Sequence, residues 1–287
     1  MTTVSERAYD LLMEPSPVRS PAVAGRFYPQ QREALLHDLE KYLQPESGDE
    51  ASSDSAVGCV VPHAGYMYSG HVAGAVYRLL PARSRYVILG PNHWARGAPL
   101  AVVSQGYWLT PLGRAEVDTD LAGQICQRCP LLAEDSAAHE GEHSIEVQLP
   151  FLQRLSAALR FVPIAIAMAN YDFLEQLGRA VADAIRVSTE PVLIVASSDL
   201  NHYEPDIVTR EKDDRAIAKI LHLDPAGLMD VIRSEDISMC GYAPTIVMLT
   251  AAKALGAREA RLVRHATSAD TGGGTHSVVG YAGIIVN

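Results

Sequence analysis

The length, composition and charge of the chain exclude several classes of protein. With 287 residues, 48% of them hydrophobic and 20% charged, the chain can bury a sizeable core as one large α/β domain or two small ones. Its net charge of -10 argues against binding to nucleic acid or to anionic lipid. The sequence has no apolar run near the roughly 20 residues that span a bilayer, and its first 19 residues lack the form of a signal peptide. We therefore predict a cytoplasmic protein that binds neither nucleic acid nor membranes.

Segments typical of strands and helices alternate along most of the chain. Residues 1–18 are polar with two prolines and predict an N-terminal arm, and residues 46–55 predict a solvated loop. The elements predicted after the arm are, in chain order, helix 31–43, strand 57–62, helix 70–80, strand 85–90, strand 99–104, helix 118–128, helix 144–159, strand 160–166, helix 171–187, strand 191–197, helices 207–222, 225–233 and 244–255, and strands 260–266 and 278–286. Continuously apolar strands that alternate with helices indicate a mainly parallel sheet with helices on both faces. Since no linker divides the chain, we predict one α/β domain over residues 19–287.

Histidines follow two of the predicted buried strands. His63 comes just after strand 57–62, and His93 comes just after strand 85–90. The carboxyl ends of parallel strands meet at one edge of a sheet, where α/β proteins bind their ligands. Together with Cys240 and Asp199, these imidazoles suit a transition metal that keeps an open coordination position. The sequence therefore predicts a metal site at this edge.

Asp199, His202 and Cys240 each allow a second interpretation. A histidine held by a carboxylate after strand 191–197 is a sensible general acid or base, but Asp199 could equally cap a helix and leave His202 on the surface. Cys240 precedes helix 244–255, whose N-terminus would lower the pKa of its thiol. Taken alone, Cys240 is more typical of a small buried hydrophobic residue.

Residues 139–143 read His-Glu-Gly-Glu-His and match the H-E-x-x-H motif of zinc proteases. Inside a helix, however, Gly141 would cost about 1 kcal/mol. Ser144 is typical of an N-cap for helix 144–159, which places His139 and His143 in the loop before that helix. Zinc hydrolysis with Glu140 as the base is therefore a minor alternative.

Five motifs occur in the same order in the MEMO family, and they resemble that family closely. They are Pro62-His63-Ala64-Gly65-Tyr66, Leu89-Gly90-Pro91-Asn92-His93, Glu142-His143-Ser144-Ile145-Glu146, Ser197-Ser198-Asp199-Leu200-Asn201-His202 and Cys240-Gly241-Tyr242-Ala243-Pro244. The segment 21–29 also resembles the start of the prokaryotic members, which are known as protein B of the AmmeMemoRadiSam system. On these motifs the chain from about residue 19 is identified as a member of the family.

The resemblance implies the fold of the class III extradiol ring-cleaving dioxygenases, which use non-haem iron(II). Two histidines and a glutamate bind iron in those enzymes, and a cysteine replaces the carboxylate in MEMO proteins. Carried over by position, the metal ligands are His63, His93 and Cys240, the acid–base group is His202 with Asp199 nearby, and the pocket is lined by His143 and Tyr66. The implied cofactor is iron(II), with copper or zinc as alternatives because a thiolate is a softer ligand.

The resemblance leaves two functions open besides zinc hydrolysis. One is a dioxygenase-like oxidoreductase that acts on a small aromatic or related substrate. The other is a non-catalytic metal-binding or scaffold protein that takes a small-molecule or peptide ligand. The resemblance also implies a radical-SAM protein and an AMMECR1-like protein as partners.

Overall fold

The structure is a computed structural model that describes residues 17–46, 55–168 and 170–287. Most of the predicted arm, residues 1–16, and residues 47–54 of the predicted loop lie outside the described residues. The helices of the described residues are α1 (Arg32–Tyr42), α2 (Tyr66–Tyr77), α3 (Thr119–Arg128), α4 (Leu149–Leu155), α5 (Tyr171–Arg186), α6 (Asp206–Leu221), α7 (Pro225–Ser234) and α8 (Tyr242–Leu255). The strands are β1 (Val18–Arg19), β2 (Gly58–Val61), β3 (Arg85–Pro91), β4 (Leu100–Val102), β5 (Tyr107–Thr110), β6 (Gly113–Val117), β7 (Ala133–Glu134), β8 (Arg160–Ile166), β9 (Val192–Ser197), β10 (His202–Glu204), β11 (Ala260–Thr267) and β12 (Val278–Val286).

The central strands of the sheet are parallel. In the spatial order β6, β8, β3, β9 and β2, each strand pairs in parallel with the next one. Antiparallel strands extend this core on both sides, because β12 pairs with β2, β10 and β11 at one end while β5 pairs with β6 at the other. The predicted fold class, a mainly parallel α/β sheet, is confirmed. The carboxyl ends of β2, β3 and β9 consequently lie side by side at one edge.

Strand β3 shows why the central strands are continuously apolar. Val87 and Leu89 pack into a core that includes residues of α3, α5 and α8. Tyr86 and Ile88 point the other way, into a core that includes residues of α1, α2 and α4. Since successive side chains of a strand alternate between the faces, a sheet covered on both faces buries every residue. The prediction of helices on both faces is confirmed.

Helix α2 begins four residues before the predicted helix 70–80. Gly70 lies inside this helix, where it allows α1 and α2 to pack closely. A Cβ at Gly70 would lie 2.6 Å from the ring of Tyr42, and one at Gly74 would lie 2.2 Å from the Tyr42 carbonyl oxygen. Gly70 and Gly74 therefore mark a contact between two helices.

The helix predicted at 144–159 is shorter and starts later. Residues Glu146–Gln148 form one 3-10 turn, and α4 follows over Leu149–Leu155. Ser144 is not the N-cap, because its hydroxyl donates to the carbonyl of Pro91, 2.9 Å away. The β5–β6 hairpin and strand β10 were not predicted, because they are short elements near the margins of the sheet. Among the described residues, none of the helices combines the length and the apolar character that crossing a membrane would require.

Candidate metal centre

Three histidines meet at the carboxyl edge of the sheet. His63 and His93 follow β2 and β3, and His143 comes from the loop before the 3-10 turn. Each offers one ring nitrogen, and the three nitrogens lie within 4.8 Å of one another. The ring centroids of His93 and His143 are 4.7 Å apart, and that of His63 is 5.1 and 5.4 Å from theirs. Imidazole nitrogens at this spacing form a donor set that zinc, copper, iron and nickel accept.

A hydrogen-bond chain fixes which nitrogen of His63 carries the proton. Ser197 Oγ donates its single proton to the carbonyl of Ser144 at 2.6 Å and accepts from Gln148 Nε2 at 2.8 Å. It also lies 3.0 Å from His63 Nδ1, so that nitrogen must be the donor. His63 Nε2 therefore carries a free lone pair, which is the form that a metal binds. Burial lowers the pKa of His63, which further favours the neutral ring.

This chain leads to a testable prediction for Ser197. Ser197→Ala removes the acceptor that holds His63 in its metal-binding tautomer, so metal affinity should fall about 10- to 100-fold, as is typical for loss of an outer partner. Competition with a chelator measures the affinity. Ser69→Ala is the matched control, because Ser69 is equally buried but donates to the carbonyl of Ala64. Equal affinities of the Ser197→Ala variant and the wild type would contradict this role.

A buried carboxylate holds His93 in the corresponding way. Glu142 Oε1 lies 2.9 Å from His93 Nδ1, and Glu142 Oε2 accepts the backbone N–H of His93 at 2.7 Å. Burial alone would raise the pKa of Glu142, but hydrogen bonds from His93 and from the Ser144 N–H hold it well below its usual range. Glu142 is therefore ionised, His93 donates through Nδ1, and His93 Nε2 is left free. The two histidines thus present the same nitrogen.

His143 completes the cluster by stacking. Its ring lies within 15° of parallel to that of His93, and Phe27 packs against it with ring centroids 4.7 Å apart. Burial lowers the pKa of His143, while Glu142 opposes that shift. The sequence predicted His143 only as a pocket residue, whereas the structure makes it a member of the candidate ligand set.

Cys240 lies beside this cluster and contacts His63. Its Sγ is 3.2 Å from His63 Nε2 and 3.7 Å from the carbonyl oxygen of Asp199. The close approach depends on Gly241, where a Cβ would lie 2.4 Å from the carbonyl oxygen of Ser197. The expected lowering of the Cys240 pKa is wrong, because burial and the Asp199 charge raise it well above its usual value. The Cys240 thiol is therefore protonated, and both the Asp199 carbonyl oxygen and His63 Nε2 lie within reach of its single hydrogen.

Asp199 and His202 both line the cavity in front of the histidines. Asp199 Oδ1 accepts the backbone N–H groups of His63 at 2.7 Å and Ala64 at 3.2 Å, so it fixes the loop after β2. Burial raises the pKa of Asp199, and His202 opposes that rise. His202 Nδ1 lies 2.9 Å from the carbonyl of Ser238 and must donate to it. The neutral ring therefore has an unprotonated Nε2.

The cavity has a volume of about 540 Å³, and its walls combine histidines with aromatic and small residues. Phe27, Tyr68, Tyr203 and Tyr281 contribute to the walls. Tyr66, which the resemblance placed in the pocket, lies instead in the core with 3% of its surface exposed, and its hydroxyl donates to the Val147 carbonyl. Two residues along a helix turn the side chain by roughly 200°. Tyr66 and Tyr68 consequently face opposite ways.

The H-E-x-x-H segment does not form a protease site. Residues 139–143 are turn and bend rather than helix, as the sequence predicted. His143 lines the metal cavity, whereas His139 lines a different cavity beside Trp108. Glu140 is exposed to solvent. The zinc hydrolase interpretation is wrong, because the two imidazoles cannot share one ion.

The residues that orient the cluster were missed from the sequence. Ser197 was visible as a polar residue that ends an apolar strand, and Gln148 as a polar residue within an apolar stretch. Such positions signal a buried hydrogen-bonding role, because a buried polar side chain needs partners. The sequence gives Glu142 only as part of a family motif and does not predict its contact with His93.

Comparison with known proteins identifies the family of this chain. A family model described as Memo-like protein matches residues 19–285. The chain belongs to the Memo-like family. It is 46% identical over 276 residues to a MEMO1 family protein of Pyrobaculum arsenaticum, covering 93% of this chain and 98% of the relative. A MEMO1 family protein of Methanosarcina mazei is 43% identical over 270 residues, covering 94% of this chain and 99% of that one.

A solved structure is similar to this Memo-like chain in fold. It is the crystal structure of an uncharacterized protein of Escherichia coli K12, with a TM-score of 0.56 and 14% sequence identity. The match covers 80% of this chain and 99% of that chain. At this identity the likeness supports the architecture alone.

Proposed function

We propose that this Memo-like protein binds one transition metal ion through His63, His93 and His143, with Cys240 as a further donor. The observation that carries the proposal is the orientation of His63 and His93, because each has Nδ1 committed to a buried acceptor and is left with an unprotonated Nε2. The donor set of imidazoles with a neighbouring thiol fits iron(II), copper or zinc. Cys240 would bind the metal as a thiolate, so its thiol proton would be released on metal binding.

We further propose that the protein is an oxidoreductase of the extradiol dioxygenase type. Iron(II), when bound, would supply oxygen chemistry at an aromatic diol. The walls formed by Phe27, Tyr68 and Tyr281 suit a flat aromatic ring. His202 Nε2 would accept a proton from a substrate hydroxyl and later return it, while the Ser238 carbonyl holds its Nδ1–H. Asp199 would favour the protonated form of His202 while it holds that proton.

Replacing His202 tests the catalytic proposal. His202→Ala should lower turnover at least about 100-fold, the typical contribution of a general acid or base, without changing the metal content. Oxygen uptake by the iron-loaded protein with catechol measures turnover. His222→Ala is the matched control, because His222 Nδ1 also contacts a backbone carbonyl but lies on the surface at the C-terminal end of α6. If catechol causes no oxygen uptake and no spectral change in the wild type, the dioxygenase proposal fails.

A second candidate is a cytoplasmic scaffold that acts without turnover. The aromatic side chains around the cavity mouth favour it, since Tyr203 is 76% and Tyr68 40% exposed. Exposed aromatic residues at a pocket rim suit a peptide or a partner surface. A radical-SAM protein and an AMMECR1-like protein are the partners proposed for this role. On this proposal, His202→Ala would leave partner binding intact, and the wild type would show no turnover to lose.

A further inference from the structure

His139 is a buried imidazole that the metal centre does not use. Its exposed fraction is 1%, and within residues 17–46, 55–168 and 170–287 neither ring nitrogen has a partner with good hydrogen-bond geometry, although the Ala101 backbone lies close to the ring. Buried polar groups nearly always have partners, so an imidazole with both nitrogens unpaired requires an explanation. The ring is held edge-on against Trp108, with centroids 5.6 Å apart.

A second cavity opens beside this ring. It has a volume of about 440 Å³, within the range of small-molecule sites, and lies at the β1 end of the sheet rather than at the metal centre. His139 lines it together with Pro17, Val18, Val103, Tyr107 and Trp108. The cavity thus has an apolar and aromatic part of its wall next to His139, while the exposed side chains of Ser20, Gln105, Ser136 and Glu140 also line it.

The charged groups around this cavity narrow the choice of ligand. Burial and the nearby Arg19 charge together lower the pKa of His139 to about 4, although hydrogen bonding to the Ala101 backbone opposes the shift, so the ring is neutral at pH 7. The Arg19 guanidinium stacks on Trp108 and donates to the carbonyls of His139 and Glu142 and to the Glu146 carboxylate. Because these bonds already engage Arg19, the described wall residues offer no free positive charge. The polar groups they offer are the buried imidazole and the exposed side chains of Ser20, Gln105 and Ser136.

We propose that the His139 cavity is a second ligand site, which takes a neutral aromatic molecule bearing a hydroxyl or ring N–H group. The ring of the ligand packs against Tyr107, Trp108 and Val103, and its polar group pairs with a nitrogen of His139. A neutral phenol or azole meets both demands, whereas a carboxylate or phosphate would find no free cation among the described residues of the wall and would face the exposed Glu140. This site is independent of the proposed metal chemistry.

Phenol and toluene form a matched pair of probes for this proposal, because they differ only in that a hydroxyl group replaces a methyl group. The chain has two tryptophans, Trp94 and Trp108. Trp94→Phe leaves only Trp108, so the fluorescence of this variant reports on the cavity. In this background we expect phenol to quench Trp108 saturably in metal-free protein. His139→Phe keeps an aromatic ring at this position but removes both nitrogens. It should weaken the binding of phenol about tenfold, equivalent to about 1.4 kcal/mol, and leave the binding of toluene unchanged.

The His139→Phe variant also has an expected effect on stability. Without phenol its thermal unfolding midpoint should rise by about 2 °C, because two unpaired buried nitrogens are removed. His139→Gln keeps a donor and an acceptor and should retain more phenol affinity than His139→Phe. The imidazole proton resonance of His139 in the wild type, shifting on phenol addition, gives a readout that does not depend on either variant folding.

Three results would overturn the proposal. Phenol affinity that is equal in the wild type and His139→Phe would place the probe elsewhere. If phenol causes no saturable quenching and does not shift the His139 resonance, the cavity binds no such ligand. The same result is expected if another part of the chain fills the cavity. A lower unfolding midpoint of His139→Phe would show that the imidazole is a structural group.

Discussion

Metal binding is expected to be lost when His63 is replaced by alanine. His63 is the most deeply buried of the three histidines, with 1% of its surface exposed, and it alone contacts Cys240. The substitution removes one imidazole ligand, and Ser197 also loses the ring that it orients. Loss of an outer partner typically weakens a metal site by 10- to 100-fold, so loss of this ligand should exceed about 100-fold.

Metal content after anaerobic purification measures this effect directly. The wild type should hold close to one ion per chain, and His63→Ala should hold almost none. His139→Phe is the control, because His139 is equally buried, belongs to the H-E-x-x-H segment and lies outside the cluster. Iron in the wild type would support the dioxygenase proposal, and copper or zinc would favour metal handling. A wild type that takes up none of these metals would contradict the proposed site.

Glu146→Gln is expected to destabilise the protein by about 3 kcal/mol, the lower end for breaking a buried charge pair. The carboxylate is fully buried and pairs with Arg19 at 2.7 Å. It also accepts the backbone N–H groups of Ala22 and Val23 and the hydroxyl of Tyr28. A glutamine amide cannot accept at both positions, so at least one donor would be left without a partner and the Arg19 charge without its counter-charge.

Denaturant unfolding measures this loss of free energy. Glu175→Gln is the matched control, because its partner Arg179 lies at 2.9 Å in an exposed i,i+4 pair that contributes within about 0.5 kcal/mol. Glu146 also anchors the loop that carries Phe27 onto the His143 ring, so the substitution should weaken metal binding as well. Equal free energies of unfolding for the two variants would show that the hydrogen bonds and the ion pair of Glu146 contribute little to holding this loop in place.

Several features of the site follow from local sequence. β2, β3 and β9 are recognisable because strands buried on both faces must be apolar throughout, and the residues after each strand must lie at the same sheet edge. The same reasoning places His63, His93 and Asp199 together from the order of residues alone. The motifs then predict the family, which the family model confirms. The role of each residue as a ligand or catalyst stays a prediction.

Other features depend on contacts that no local pattern encodes. Tyr68 lines the cavity and Tyr66 does not, because one face of α2 turns toward the cavity. Packing against Tyr42 decides which face that is, and the helical period alone does not. The raised pKa of the Cys240 thiol comes from burial beside Asp199, 41 residues earlier in the chain.

The sequence by itself determined the parallel α/β architecture and the strand ends that carry the candidate ligands. Apolar periodicity is a local property, because each strand must satisfy burial on its own two faces. Only the tertiary structure decided that His143 joins the cluster while His139 enters a separate cavity. It also decided that Ser197 and Glu142 select the free nitrogens of His63 and His93. Those outcomes depend on hydrogen bonds between segments 49 to 134 residues apart, whose geometry exists only after the chain has packed.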